Sequence, residues 1–254
     1  MNETINLINN RMSLRKYGDK KINDEELDVI LKGAMRAPTA GNMMLYSILV
    51  IEDDKTKEIL SRTCDNQPFI KNSDKILIFL ADLQRWYDFY DASGVLNYCI
   101  KNKLEYRTPD EGDLFLAIQD AIIAAQTGAI VAESINIGSC YIGDIIENYE
   151  EHKKLFKLPK WVVPVCMLCI GHYEDEKRYL TKRFDEEYIV FKEEYKRLDE
   201  QSLKNMFKDK KISENNIYNA KNFGQFNYAR KTGAEFSTEM GRSVREMIKT
   251  WISK

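Results

Sequence analysis

Arg11, Ser13 and Arg15 are spaced by two in "NNRMSLRKYG", residues 9–18. Two guanidinium groups flanking a small hydroxyl can close on an anion, because the planar fork of arginine matches phosphate oxygens in pairs. Backbone geometry decides whether they do. In an extended chain alternate side chains share a face, so all three converge. In a helix Arg11 and Arg15 share a face and Ser13 leaves it. The stretch then reads as a basic helix end in solvent, complementing the helix dipole. Both readings stand at this point.

Two stretches of small residues add further candidates. "APTAGN", residues 37–42, joins a helix to a strand, and "GSCYIGD", residues 138–144, reads as a second loop after a long apolar helix. Small residues let backbone approach a flat ligand closely.

Other chemistry is sparse. Of the two histidines, His152 lies in the charged run "YEEHKKLFK" and is expected in solvent, and His172 follows an apolar strand at "IGHY". No motif supports a Ser–His–Asp set, and neither G-x-x-x-x-G-K-[ST] nor G-x-G-x-x-G occurs. Carboxylates come in runs such as Asp24–Glu25–Glu26, which suit a solvated face. Cys166 and Cys169 form a C-x-x-C inside the strand-like run "WVVPVCMLCIG". Residues three apart on a strand point to opposite faces, and no second pair completes a zinc site. Buried structural thiols and no metal are expected. A chain this poor in catalytic side chains suits an organic cofactor that carries the chemistry itself.

These candidates need a scaffold, and the composition supplies one. The 254 residues are 44% hydrophobic and 31% charged, enough for a sizeable globular core. A net charge of −2 gives no electrostatic case for nucleic acid or an anionic membrane surface. The opening "MNETINLINN" lacks the basic flank and apolar core of a signal peptide. Five scattered cysteines fit a reducing compartment, so a cytoplasmic location is expected. The most apolar stretch, Leu114 to Gly138, is punctuated by Gln119, Asp120, Gln126 and Glu133. It reads as a central core helix rather than a membrane span.

The pattern predicts a helix over Glu3–Asn10. A second helix opens on an Asn23/Glu26 capping box, carries Leu27, Ile30, Leu31 and Ala34 on one face, and stops at Pro38. Strands follow at "YSILVIED" and "KILIFLAD", with a helix near Lys55–Cys64 between them. Residues 84–112 read as helix and loop, 113–137 as the long helix, and an amphipathic helix runs to about Lys157. "WVVPVCMLCIG" is the third strand. "EEYIVFKEEY" is a possible fourth, charged at both ends as an edge strand would be. Residues 193–254 look helical and peripheral. The fold class is α+β.

Taken in order, these stretches resemble the FMN-dependent nitroreductase and flavin reductase family, and most closely its larger oxygen-insensitive members that prefer NADPH. The carriers are R-x-S-x-R-x-[FY] at Arg11–Tyr17, A-P-[ST]-x-x-N at Ala37–Asn42, and "AESINIGSCYIG" at 132–143. An L-x-L-P lead into the third strand, "LFKLPKWVVPVCMLCIGH", completes the set, and the likeness runs from about residue 5 to about residue 195.

The resemblance implies that Arg11, Ser13 and Arg15 hold the FMN phosphate and ribityl chain. Met12 and Thr39 stand within the same motifs as cofactor-binding positions. Asn42 and Gln67 would hydrogen-bond the ribityl chain or ring edge. Tyr141, Ile142 and Gly143 would line the ring with backbone donors, and Lys182 and Arg183 would complete the phosphate site. Arg15 is the candidate for stabilising the reduced ring. No side chain is implied as the primary acid or base. The implied fold is a mixed or antiparallel sheet flanked by helices, as a homodimer with FMN at the subunit interface. Residues 1–192 would form the FMN-binding domain and 193–254 a helical extension packing on the core and the partner. The implied activity passes hydride from NADPH or NADH through flavin N5 to a small aromatic acceptor (a nitroaromatic, a quinone or free flavin) by a ping-pong mechanism. A non-catalytic flavin carrier or sensor is the alternative.

The chain departs from the pattern in places. Met12 stands where the family often has a second arginine, and Met43 and Met44 where it often has a glutamine. Asp144 replaces the second glycine of the third motif. "NAKNFGQFNYARK" carries Lys221, Arg230 and Lys231 without a matching arginine-rich motif, which leaves NADH against NADPH open.

Overall fold

The computed structural model describes residues 2–175, 177 and 179–253; Met1 and Lys254, which begin and end the two expected domains, lie outside the described residues. The chain forms two compact units, Met1–Tyr179 with Glu239–Lys254, and Leu180–Thr238.

In the first unit, α1 (Glu3–Asn10) and α2 (Asp24–Met35) precede β1 (Tyr46–Ile51). Next come α3 (Asp54–Thr63), α4 (Pro68–Lys71), β2 (Lys75–Asp82), α5 (Gln84–Ala92) and α6 (Val95–Asn102). The long α7 (Glu111–Ser134) leads into β3 (Ile137–Ile142), then α8 (Tyr149–Leu155) and β4 (Val162–His172). In the second unit lie α9 (Glu200–Phe207) and α10 (Phe223–Asn227), before α11 (Glu235–Ile252) returns the chain to the first unit. The four strands form one antiparallel sheet in the order β1-β2-β4-β3. The α+β class and the sheet flanked by helices are as the sequence predicts.

Alternation sorts the sheet into two apolar faces. On one, Leu77, Phe79, Cys166, Leu168 and Ile170 pack with Ile30 and Ala34 of α2 and with the alanines of α7. On the other, Ile76, Ile78, Met167, Cys169 and Cys140 pack with Leu60 of α3 and Ile70 of α4. Cys166 and Cys169 thus fall on opposite faces, both buried. Burial pushes both thiols up, Cys166 to about 12, so they are inert structural groups. The capping box on α2 is present, and α7 carries a second one, Asp110 with Asp113. α7 is long and apolar enough to span a bilayer by length and composition. Its run of Ala117, Ala121, Ala124, Ala125, Ala129 and Ala132 is instead buried, as a core helix requires.

Four expectations need correction. "EEYIVFKEEY" is not a strand: Glu186–Tyr188 is a short 3-10 turn. A strand needs a neighbouring row of N–H and C=O groups, and the described residues of the second unit hold no strand. "GSCYIGD" is not a loop, since all but its last two residues belong to β3, paired along β4. The tail is not wholly peripheral. α11 buries Met247 and Trp251 in a third cluster with Leu83, Tyr87 and Leu114, and the Trp251 indole N–H donates to Asp110 O at 3.0 Å. His152 is fully buried rather than solvated. Its ring nitrogens meet Ile145 O at 2.9 Å and Thr63 Oγ1 at 2.8 Å, while burial pushes its pKa down. The charges around it in sequence hid an α8 position that faces inward with Tyr149.

Candidate functional site

α1 ends at Asn10, and Arg11 is already extended, φ −61° and ψ 133°. Residues 13–17 then run beside the sheet. Ser13 bridges Ser139 in parallel, Leu14 N–H donates to Ser139 O at 2.9 Å, and Tyr17 bridges Tyr173. The extended reading of the Arg–Ser–Arg stretch therefore holds. Ser13 and Arg15 are exposed, Arg11 is half-buried, and Leu14 between them is buried.

Two glycines make this close approach possible. Gly138 of β3 and Gly171 of β4 are direct cross-strand partners. A Cβ on Gly138 would meet Leu14 Cδ2 at 2.5 Å, and one on Gly171 would meet the Tyr17 ring at 2.6 Å. Any larger residue would push the arginine strand off the sheet.

The three polar residues gather around Cys140. Burial pushes the Cys140 thiol up, while Arg15, Arg11 and a hydrogen bond with Ser13 pull it back. The Arg15 guanidinium lies over the Phe69 ring, 5.6 Å from its centroid. The Arg11 Nη1 donates to Met12 O at 3.3 Å. Among the described residues, neither arginine forms an ion pair with a carboxylate. The buried Ser139 Oγ has no hydrogen-bond partner. Two forked cations without an ion pair among the described residues, beside a serine hydroxyl, suit an anion with paired oxygens, which makes this a candidate site.

The third motif closes the same group. Ile142 ends β3, and around Gly143 the space where a Cβ would point is open to 4 Å. Gln67 comes in from the turn between α3 and α4. Its Nε2 donates to Asp144 Oδ2 at 2.9 Å and to Cys64 O at 3.0 Å. The amide expected to face a ligand is thus spent on Asp144, the residue that departs from the family pattern. Tyr141 points to the other face of the sheet, against the α7 cluster, and its buried hydroxyl has no partner.

Thr39 and Asn42 lie elsewhere. Their loop leads into β1, the opposite edge strand from β3. Three inter-strand spacings separate those edges, roughly 14 Å. The Thr39 hydroxyl donates to Asp120 Oδ2 and accepts from Met44 N–H at 2.8 Å. Asp120, buried on α7, also accepts from Ala40 N–H at 3.0 Å and Leu45 N–H at 3.1 Å. Asn42, left-handed at φ 58°, borders a hollow of about 420 Å³ with Met43, Met44, Ser47 and Arg85. Lys182 and Arg183 belong to the second unit, where Lys182 pairs with Asp209 at 2.8 Å.

Sequence reasoning did not assign roles to Phe69, Cys140 and Asp120. Only Asp120 left a trace, a carboxylate in the middle of the apolar stretch of α7.

An antiparallel sheet flanked by helices, with two arginines that have no ion-pair partner among the described residues at its β3 edge and an open glycine at the end of that strand, defines the α+β class and a candidate ligand site. Residues 8–172 match the Nitroreductase family model, and the chain belongs to that family. Among curated relatives, it is 32% identical over 174 residues to an FMN reductase (NADPH) of Bacillus subtilis, covering 68% of this chain and 66% of that one. A second B. subtilis protein, FMN reductase [NAD(P)H], is 31% identical over 84% of this chain and 83% of its own length. Among solved structures, the hypothetical oxidoreductase YcnD of B. subtilis superposes with a TM-score of 0.80 at 27% identity, covering 100% of this chain and 99% of that one.

Proposed function

We propose that this chain is an FMN-dependent oxidoreductase that takes electrons from NADPH or NADH and passes them to nitroaromatics, quinones or free flavin. The observation that carries the reading is the pair Arg11 and Arg15 beside Ser13 at the β3 edge, neither in an ion pair among the described residues. Family membership and the FMN reductases among the relatives support it.

The residues fit the cofactor. Arg11 and Arg15 offer forked donors and Ser13 a hydroxyl to a phosphate dianion. The open face at Gly143 admits a flat ring against backbone, and the Asp144–Gln67 hydrogen bond fixes the wall beside it. When bound, FMN supplies hydride acceptance at N5 and return of the electrons to a second substrate, a ping-pong cycle. The protein's part is to bind, orient and stabilise charge, which agrees with a site holding no histidine.

A homodimer is part of the reading. Thr39 and Asn42 sit at the sheet edge opposite the arginines, so one chain does not gather all the expected positions. A ligand at a subunit interface would meet the arginines of one chain and the Asn42 loop of the other. Phe115 and Ile122 on α7 are 62% and 46% exposed, apolar surface of the kind a partner covers. A cytoplasmic location completes the proposal.

The test is the visible spectrum of the purified protein, followed by anaerobic NADPH or NADH. A yellow protein that bleaches and recovers with a quinone or nitroarene is expected. A yellow protein that neither donor bleaches is a carrier or sensor. A colourless protein that cannot be reloaded with FMN overturns the reading.

A further inference from the structure

Four carboxylates gather behind the turn that follows β3. Asp144 and Glu147 lie on the turn, Asp65 comes from the turn after α3, and Glu239 from α11; the charges of the other three all bear on Glu147. Glu147 is only 3% exposed, and its Oε1 is buried without a hydrogen-bond partner. The backbone forces the pair together, since Glu147 N–H donates to Asp144 O at 3.0 Å across one 3-10 turn.

Among the described residues, the charges that bear on Glu147 are those of carboxylates. Arg242 on α11 is bound to Glu239 and to Glu150, each through two hydrogen bonds. His152 on α8 is occupied by Thr63 and Ile145 and kept neutral by burial. Cys64, which also faces Asp144 and Glu147, is held as a thiol by its burial. Asp144 is held by Gln67, whose Nε2 donates to its Oδ2 at 2.9 Å. Two adjacent carboxyls in such a place do not both ionise cheaply.

We propose that Glu147 keeps its proton near neutral pH, and that it is thereby a positioning residue that adds no charge of its own to the wall beside Gly143 when a flavin is bound. The inference rests on the flavin reading above. Burial first, then the Asp144 charge and a hydrogen bond with it, push the Glu147 carboxyl up to about 8. Loss of that proton adds a negative charge at that wall. Reduced FMN, which carries its own ring charge near neutral pH, is then disfavoured more than oxidised FMN.

Two measurements test this on the full chain. The first is an infrared titration of FMN-free protein from pH 6 to 10. A protonated-carboxyl band should fade as pH rises, be missing in Glu147→Gln, and fade at lower pH in Asp144→Asn. The second is the ratio of dissociation constants for reduced and oxidised FMN at pH 6.5 and pH 9. In the wild type it should rise roughly tenfold more than in Glu147→Gln, since a factor of ten corresponds to about 1.4 kcal/mol of charge repulsion. If Glu147→Gln does not fold, Asp144→Asn replaces it, and the smaller rise is again expected. A missing band, or a ratio that moves equally in wild type and variant, overturns the proposal alone. Wild-type protein that shows the band but binds no FMN overturns the flavin reading and this inference with it.

Discussion

The two edges of the sheet treat polar groups in opposite ways. At the β1 edge, Thr39, Ala40, Met44 and Leu45 close on one another and on the buried Asp120. At the β3 edge, Arg11 and Arg15 surround Ser13 and Cys140, and among the described residues neither arginine forms an ion pair with a carboxylate. The first arrangement satisfies itself and so builds a rigid loop. The second leaves its cations without an ion-pair partner among the described residues, and so is the candidate ligand edge. A residue inside a family motif can therefore serve either the scaffold or the ligand, and its hydrogen bonds tell which.

Substitutions at each edge can break that distinction. Asp120→Ala should have the largest effect, leaving three donors without their acceptor and costing roughly 2–4 kcal/mol in urea unfolding. Arg15→Ala should leave stability within about 0.5 kcal/mol and weaken FMN binding about 10–100-fold, measured by flavin fluorescence. Unchanged FMN affinity would falsify the arginine cradle. Thr39→Val should cost about 1 kcal/mol of stability while moving FMN affinity less than about threefold. A larger loss of affinity than of stability would turn Thr39 from a loop staple into a ligand contact.

The acid pair next to the β3 edge adds a pH axis. Glu147 rises from 4.5 to about 8 on folding, so the folded chain binds the extra proton between those values. Its contribution to stability is full below the lower value and is lost as pH rises through the upper one. Wild-type melting temperature should fall between pH 5 and pH 9 more steeply than that of Glu147→Gln, by a few degrees. Parallel curves would mean that Glu147 titrates as an ordinary exposed acid.

Much of this was legible in the residue order. Asn23 with Glu26 marked the start of α2, and the alternating apolar runs marked β1, β2 and β4. The interval between Cys166 and Cys169 foretold their opposite faces. Each of these signals is local, set by neighbours within about one turn or a few strand residues. "GSCYIGD" misled because its small residues imitate a turn, whereas Gly138 is small to let Leu14 pack onto β3. His152 misled because its burial depends on Thr63, 89 residues away.

The sequence by itself determined the elements, the two-faced core and the spacing of Arg11, Ser13 and Arg15, since periodicity and side-chain chemistry are properties of the chain. Only the tertiary structure decided that this stretch lies along β3 beside Phe69, that Thr39 is absorbed by Asp120, and that Glu147 is buried against Asp144. Those outcomes depend on which distant groups share a low-dielectric space, and no local pattern records that partner.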